Sequence, residues 1–400
     1  MLEVADALNA VLQAAAPLRP EPVALTPAVL GRVLAADVES DIDSPPFDKA
    51  LMDGYAVIST DLADGPAELE VIEEIAAGAV PTKAVSPGQA AALYTGAPLP
   101  FGADAVVAKE WCTVRDDGRV WVSEDTVSAG RNVLPRGREL TAGEVALPAG
   151  TVLTPAALGL LAAVGRERAS CFPAPRVGVV VTGDELVEAS ARPGPGQIRN
   201  TNGPMLVAQA ARAGAAPRYL GIGRDDPAAL KALIADGLAT SDVLILSGGV
   251  SAGRYDLVPD VLRELGVEVH FHRVRMKPGK PLLFGTKGDT LVFGLPGNPV
   301  SGFVGFELFV RPALRKLSGR PDDAFRTTAA PLAEDFDTAN DRPTFHPARL
   351  TDEGTGPRVV PVPWFGSADL RSLLAADALL MLPPGEVRLP AGQPVDVILL

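Results

Sequence analysis

The segment 176–302 constrains the fold more than any other part of the 400-residue chain. Three short apolar runs lie in it, and each stops at a loop of unusual composition. Residues 176–182 (RVGVVVT) run into Gly183-Asp184-Glu185. Residues 242–246 (DVLIL) run into Ser247-Gly248-Gly249-Val250-Ser251-Ala252-Gly253. Residues 291–294 (LVFG) run into Leu295-Pro296-Gly297-Asn298-Pro299-Val300-Ser301. Short β-branched runs followed by Gly/Ser loops are the pattern of parallel strands at their carboxyl ends, where open α/β sheets bind ligands. Helical stretches at 203–213, 227–238, 257–265 and 299–317 alternate with strands, so a doubly wound, mostly parallel sheet is expected.

The flanks have a different texture. Leu2, Val4, Ala7, Leu8, Val11 and Leu12 recur at helical spacing, so residues 2–15 read as an amphipathic helix. Thr26-Pro27 and Thr154-Pro155 are cap signals for helices over 26–35 and 155–164. Between them, strand-like runs at 55–59, 68–75, 91–95, 105–110, 120–123 and 144–147 are separated by Gly, Pro and Asp turns. They make an inserted β unit. From Arg326 onward the chain is β-rich again, with runs at 344–350, 358–362 and 395–400. Pro347 demotes the first of these to an edge strand or an irregular run.

Composition excludes several classes. A net charge of −13 argues against a nucleic-acid partner. Two cysteines, Cys112 and Cys171, make no disulfide framework and read as buried thiols. Met1 is followed by no basic leader, and no apolar run reaches the ~18 residues of a membrane span, so a cytoplasmic protein with no membrane partner is expected. There is no Walker A or G-x-G-x-x-G sequence, and no Cys/His cluster with zinc spacing.

What remains points to a phosphorylated ligand. Successive amides of the loop Ser247-Gly248-Gly249-Val250-Ser251 can point at one anion, and the two serine hydroxyls add donors. Arg273, Arg275, Lys277 and Lys280 supply positive charge in an otherwise acidic chain, with a strand bulge expected near His272. Pro296 and Pro299 fix a loop around Asn298, and the helix after it offers amides to an anion. The carboxylates Asp53, Asp184, Glu185, Asp225, Asp226 and Asp256 all sit in or beside glycine-rich loops. Carboxylates beside phosphates imply a hard cation between them, Mg²⁺ being the standard one. Each feature also has a plain structural reading: a glycine-rich turn, a solvated basic strand, a rigid proline turn, a helix cap.

Several motifs occur in a fixed order: Phe47-Asp48, Met52-Asp53-Gly54-Tyr55-Ala56, Thr95-Gly96-Ala97-Pro98, Thr182-Gly183-Asp184-Glu185-Leu186, Ser247-Gly248-Gly249-Val250-Ser251, Lys277-Pro278-Gly279-Lys280-Pro281, and Gly294-Leu295-Pro296-Gly297-Asn298-Pro299-Val300-Ser301. With them the chain resembles, along nearly its whole length, the MoeA family of molybdopterin molybdenumtransferases, which includes the E domain of gephyrin. The resemblance implies an elongated homodimer. Each subunit would hold an extended helical dimerisation domain (1–44 and 145–172), an inserted β domain (45–144), an α/β molybdopterin-binding domain (173–322) and a small C-terminal β-barrel-like domain (323–400).

The implied reaction inserts molybdate into adenylylated molybdopterin, with Mg²⁺-dependent release of AMP. A molybdopterin adenylyltransferase would be the upstream partner. The resemblance implies catalytic roles for Asp53, Glu185, Asp225, Asp256, Lys277 and Lys280, with Glu185, Asp225 and Asp256 on the metal. It implies substrate contacts from Thr95, Glu139, Thr182, Gly183, Ser247, Gly248, Gly249, Ser251, Arg273, Pro296, Asn298, Pro299 and Ser301, and completion of the site by the inserted β domain of the second subunit. Glu139 stands where the family usually has Asp, Arg273 where Lys is usual, and Arg254 where a Glu is common. Two other readings fit the same motifs: the adenylyltransferase step itself, and a pterin-binding scaffold without turnover.

Overall fold

The computed structural model describes residues 1–250, 257–320, 325–352, 354 and 356–400. It forms two compact units, one of residues 36–169 and one of residues 1–35 with 170–400. Among the described residues no helix is long and apolar enough to cross a membrane.

The first helix, α1 (Val4–Ala14), buries Ala7 and Val11 in the core of the larger unit. The helix expected over 26–35 is only a 3₁₀ turn, Pro27–Val29. Gly31 at φ +81° ends it, and Leu34 instead bridges to Cys171.

The smaller unit is built on β1 (Gly54–Val57), β2 (Ala67–Ile75), β3 (Gln89–Leu93), β4 (Ala105–Ala108), β5 (Cys112–Val114) and β6 (Arg119–Val122). They form one sheet in the order β4-β1-β3-β2-β6-β5, with β2 and β3 parallel and the other pairs antiparallel. Both faces are covered. Val57, Val107 and Val120 enter one cluster, while Ala56, Val106 and Leu93 enter another. Helix α2 (Pro155–Ala163) starts as its sequence dictates, with Thr154 Oγ1 accepting from Ala157 N at 3.2 Å.

The larger unit carries the expected α/β sheet. Its elements are β7 (Arg176–Thr182), α3 (Asn202–Arg212), β8 (Ala216–Gly223), α4 (Pro227–Thr240), β9 (Val243–Ser247), α5 (Val258–Glu264), β10 (Glu268–Phe271), β11 (Leu283–Lys287), β12 (Thr290–Leu295), α6 (Pro299–Gly305) and α7 (Arg311–Leu317). The strand order is β8-β7-β9-β12-β11-β10. The first four strands pair in parallel, and β11 runs against both of its neighbours, β12 and β10. The apolar runs are continuous because successive residues feed opposite faces. Val177, Val179, Ile245 and Phe293 pack with α1, α3 and α6. Val180, Leu244, Leu246 and Val292 pack with α4 and α5.

Two details differ from the sequence reading. The expected bulge falls within β10, at His270 between Val269 and Phe271, and the strand ends there, before the basic residues 273–280. The helix expected over 299–317 is interrupted at Phe306–Val310, which winds as a π turn. That turn buries Glu307 completely among apolar side chains. Its carboxylate accepts from Gln209 Nε2 at 2.8 Å and meets Arg212 at 2.6 Å and Arg311 at 3.0 Å. Burial lowers the Arg311 pKa, and Glu307 opposes that. A π turn is a common way to aim one side chain off the regular helical face.

The C-terminal part pairs β13 (Thr327–Pro331), β15 (Thr344–Asp352), β16 (Pro357–Pro361), β17 (Ala378–Leu382) and β19 (Pro394–Leu399) in the order β13-β19-β17-β15-β16. A separate ribbon pairs β14 (Phe336–Asn340) with β18 (Gly385–Leu389). β15 lies inside the sheet, not at its edge. Pro347 is tolerated because its carbonyl, and therefore its missing N–H, faces the side where β16 has run out; there Val362 N donates to the carbonyl at 2.9 Å.

Removing one partner of a buried ion pair strands the other charge. Glu307→Ala therefore lowers the stability of the larger unit by about 3–5 kcal/mol. Urea unfolding followed by a probe in that unit measures this, and a loss below about 1 kcal/mol would show that Arg311 is accommodated without it.

Candidate active site

The parallel strands end at one level. The ladder between β7 and β9 closes at Val181 and Ser247, and that between β9 and β12 closes at Ser247 and Leu295. Beyond that level the three loops turn over the sheet. Gly183 is at φ +143°, and a Cβ there would lie 2.4 Å from Glu185 Oε2, so the Glu185 carboxylate folds back over it. Gly248 and Gly249 are at φ +93° and +60°. A Cβ on Gly248 would meet Thr182 O at 2.5 Å, so this loop lies directly on the end of β7. Beneath it Thr182 is buried, and its Oγ1 has no hydrogen-bond partner among the described residues. A buried hydroxyl left unpaired is costly, and a ligand acceptor entering from the loop side would relieve it.

These loops line a cleft of about 950 Å³, whose walls include Thr182, Gly183, Glu185, Asp225, Ser247 and Pro299. Its size suits a nucleotide-sized ligand. A second cavity of about 490 Å³ adjoins it, sharing Pro281, Pro296 and Asn298. Lys277, Lys280, Ser301, Arg342, Trp364 and Ser367 line this smaller chamber. The chamber is cationic where the cleft is mixed.

The structure sorts the expected residues. Thr182, Gly183, Glu185, Asp225, Ser247, Gly248, Gly249, Pro296, Asn298 and Pro299 line the cleft, and Lys277, Lys280 and Ser301 the chamber. Ser251, Arg254 and Asp256 lie outside the described residues. Arg273 is exposed and lines neither cavity; its carbonyl accepts from Leu2 N at 3.1 Å. Arg275, in the same basic run, faces Glu3 at 3.4 Å. At the start of α6, Val300 N donates to Ser367 O at 2.9 Å. Asn298 Nδ2 donates to Ser367 Oγ at 2.8 Å, so the loop at 364–368 closes over both cavities' shared wall.

Sequence reasoning missed Arg342, Trp364 and Ser367. Nothing local marks them; they reach the chamber because Lys277 is stitched to β15. Lys277 N donates to Pro343 O and Phe345 N donates to Lys277 O, both at 2.8 Å. It also missed the cleft's far wall at Arg199, Asn200 and Asn202. The signal for that wall was present as a run of polar, cap-forming residues before α3.

The smaller unit repeats the strand-end logic. Asp53 precedes β1, Thr95 follows β3 and Lys109 follows β4, and the register Gly54↔Leu93 and Gly54↔Ala108 sets the three side by side. Asp53 Oδ1 accepts from Thr95 N at 2.9 Å and from Thr95 Oγ1 at 2.8 Å, and Lys109 Nζ lies 3.1 Å from Oδ2. The Thr95 bonds, led by its amide, and then Lys109 hold the Asp53 pKa down at about 2. Glu139 is elsewhere in this unit, accepting from Ser44 Oγ at 2.8 Å.

The cleft's donors fit Mg²⁺. Glu185 and Asp225 both line it and are hard oxygen ligands, and the metal takes one or two such carboxylates together with phosphate oxygens. Among the described residues no three His, Cys, Asp or Glu side chains gather as a metal cage, and Asp256, the third expected carboxylate, lies outside them.

Family models match three segments: the MoeA N-terminal region (domain I and II) over residues 2–165, a probable molybdopterin binding domain over 178–316, and the MoeA C-terminal region (domain IV) over 329–400. A molybdopterin molybdenumtransferase of Bacillus subtilis (strain 168) is 36% identical over 377 residues, covering 93% of this chain and 88% of the relative. One from Staphylococcus aureus (strain MSSA476) is 34% identical over 374 residues, covering 92% and 89%. Two crystal structures of the molybdopterin biosynthesis MoeA protein from Pyrococcus horikoshii match with TM-scores of 0.85 and 0.83, at 34% and 31% identity. Both matches cover 100% of this chain, with 99% and 100% of those chains covered.

The Asp53 cluster gives a direct titration test. Its folded pKa is depressed, so its stabilising contribution is complete above the ordinary carboxylate pKa and is lost as pH falls from about 4 through about 2. Thr95→Val removes the hydroxyl bond and keeps the amide bond, so the Asp53 pKa rises but stays below its ordinary value. Carboxyl ¹³C NMR measures both. A wild-type Asp53 titrating near 4 would contradict the geometry.

Proposed function

The chain belongs to the MoeA family, and from that premise we propose that it is a molybdopterin molybdenumtransferase, inserting molybdate into adenylylated molybdopterin and releasing AMP. The observation that carries this reading is the pair of adjoining cavities with a common wall, one suited to a nucleotide and one cationic.

The cleft takes the pterin nucleotide. The Gly248-Gly249 turn lets backbone amides approach phosphate closely, and the Thr182 hydroxyl supplies a donor from below. The chamber takes molybdate. Lys277, Lys280 and Arg342 offset its charge, and Ser301 and Ser367 offer hydroxyl donors. Glu185 and Asp225, with Asp256 as the third carboxylate the family resemblance implies, would hold Mg²⁺. Bound there, it would supply positive charge against the phosphate oxygens. Asp53 stays ionised at neutral pH, so it serves as an acceptor for a water or cation and not as an acid.

The chemistry balances. One water cleaves the anhydride to pterin phosphate and AMP. The dithiolene thiols replace one molybdate oxygen, which leaves as water with their two protons. Holding both substrates side by side turns this into an intramolecular encounter. The reading includes a cytoplasmic homodimer fed by a molybdopterin adenylyltransferase; the exposed Leu51 and Met52 beside Asp53 are a surface a second copy would cover.

Purified protein given adenylylated molybdopterin, Mg²⁺ and molybdate releases AMP, read by chromatography; no release would sink the proposal. Turnover of ATP on molybdopterin instead would make it the adenylyltransferase. Lys280→Ala and Arg342→Ala each raise the molybdate concentration for half-maximal rate by about tenfold while AMP affinity stays within about twofold. Equal losses of both affinities would mean that the chamber is not a separate anion site.

A further inference from the structure

We propose that Asn202 is a positioning residue that holds the two ligand loops of the cleft in register; its bearing on catalysis rests on the function proposed above, whereas its hold on the loops does not. The backbone pairing of β9 with β12 ends at Ser247 and Leu295, and the last main-chain bond is Gly248 N to Leu295 O at 3.1 Å. Past that rung the Ser-Gly-Gly loop and the Pro-Gly-Asn loop need another tie.

Asn202 supplies it. The residue opens α3, is buried, and donates from Nδ2 to Ser247 Oγ and to Gly297 O, each at 2.8 Å. The two amide hydrogens thus serve one loop each. Ser247 Oγ donates its own proton to Pro296 O at 3.3 Å, which closes a triangle of bonds between the loops. A side-chain amide takes the place of the next backbone rung.

Asn202 is itself held. Asn200 Oδ1 accepts from Gly203 N at 2.9 Å, and Asn200 Nδ2 donates to Tyr219 Oη at 2.8 Å. Tyr219 donates in turn to Glu188 Oε1 at 2.9 Å. A Cβ on Gly203 would lie 2.7 Å from Asn200 Nδ2 and 2.9 Å from Tyr219 Cε2. The start of α3 is therefore seated tightly, and the amide it presents to the loops has little freedom to swing.

The chemistry demands an amide. Asp at this position has the same shape but sets a carboxylate against the Gly297 carbonyl, where no proton is available. Asn202→Asp should fail as fully as Asn202→Ala, which a requirement for bulk alone would not produce. Ser can restore one bond of the two.

The test compares wild type, Asn202→Ala, Asn202→Asp and Asn202→Ser as full chains. Hydrogen exchange in the ligand-free protein reads the loops directly. In the Ala and Asp variants, amides at 247–249 and 297–298 exchange about tenfold faster or more, with β7 and α4 unchanged, and the Ser variant falls between. Unchanged loop exchange, or a uniform rise across the unit, overturns the proposal. AMP titration by calorimetry then reads the cleft: affinity falls about tenfold in the Ala and Asp variants, the scale of one lost hydrogen bond. Loops that loosen while AMP binds as in wild type would overturn the link to the ligand. Wild-type protein that releases no AMP in turnover would overturn the function instead, leaving the exchange result to decide the role of Asn202.

Discussion

The site depends on three parallel strands stopping their hydrogen bonding at one level. Thr182, Ser247 and Leu295 are the last residues of β7, β9 and β12. Up to that level the backbone is satisfied by its neighbours and the side chains fill two cores. Past it the chain must find other partners or turn toward a ligand. The loops do both. Gly248-Gly249 lies against Thr182, the Pro296–Pro299 loop is fastened to Ser367, and the remaining polar groups face a cleft.

The helices behind the sheet serve the same end. α3 begins at the cleft and α6 begins at the loop that walls it. Their other ends meet at Glu307, where Gln209 and Arg212 of α3 reach a carboxylate presented by the π turn after α6. A buried ion pair is not in itself a large source of stability. Its effect here is geometric, because it fixes two helices whose opposite ends set the spacing of the site. The C-terminal sheet is tied in through Lys277 and Ser367, and so becomes one wall of the cationic chamber.

Much of this is legible in the sequence, for identifiable reasons. β-branched runs ending in glycine mark buried parallel strands and their ligand loops, so residue order alone places Thr182, Glu185, Ser247 and Pro296 at the site. The Thr154 cap marks a helix start directly. The misreadings have physical causes too. A π turn of five residues hardly disturbs an apolar helical pattern, so Phe306–Val310 leaves no trace in the periodicity. Pro347 reads as an edge signal unless one knows which side of its strand lacks a partner. The basic run groups Arg273 with Lys277 and Lys280, but sequence proximity cannot say which of them line a cavity. Arg342, Trp364 and Ser367 are carried to the chamber by tertiary pairing alone.

The central claim is that the smaller cavity is the oxyanion site beside a nucleotide cleft. Anomalous diffraction at the molybdenum edge, from crystals soaked in molybdate with AMP, tests it most directly. The account requires a molybdenum peak among Lys277, Lys280 and Arg342, across the Pro296–Asn298 wall from the nucleotide. A peak elsewhere, or an AMP phosphate occupying the cationic chamber itself, would contradict it.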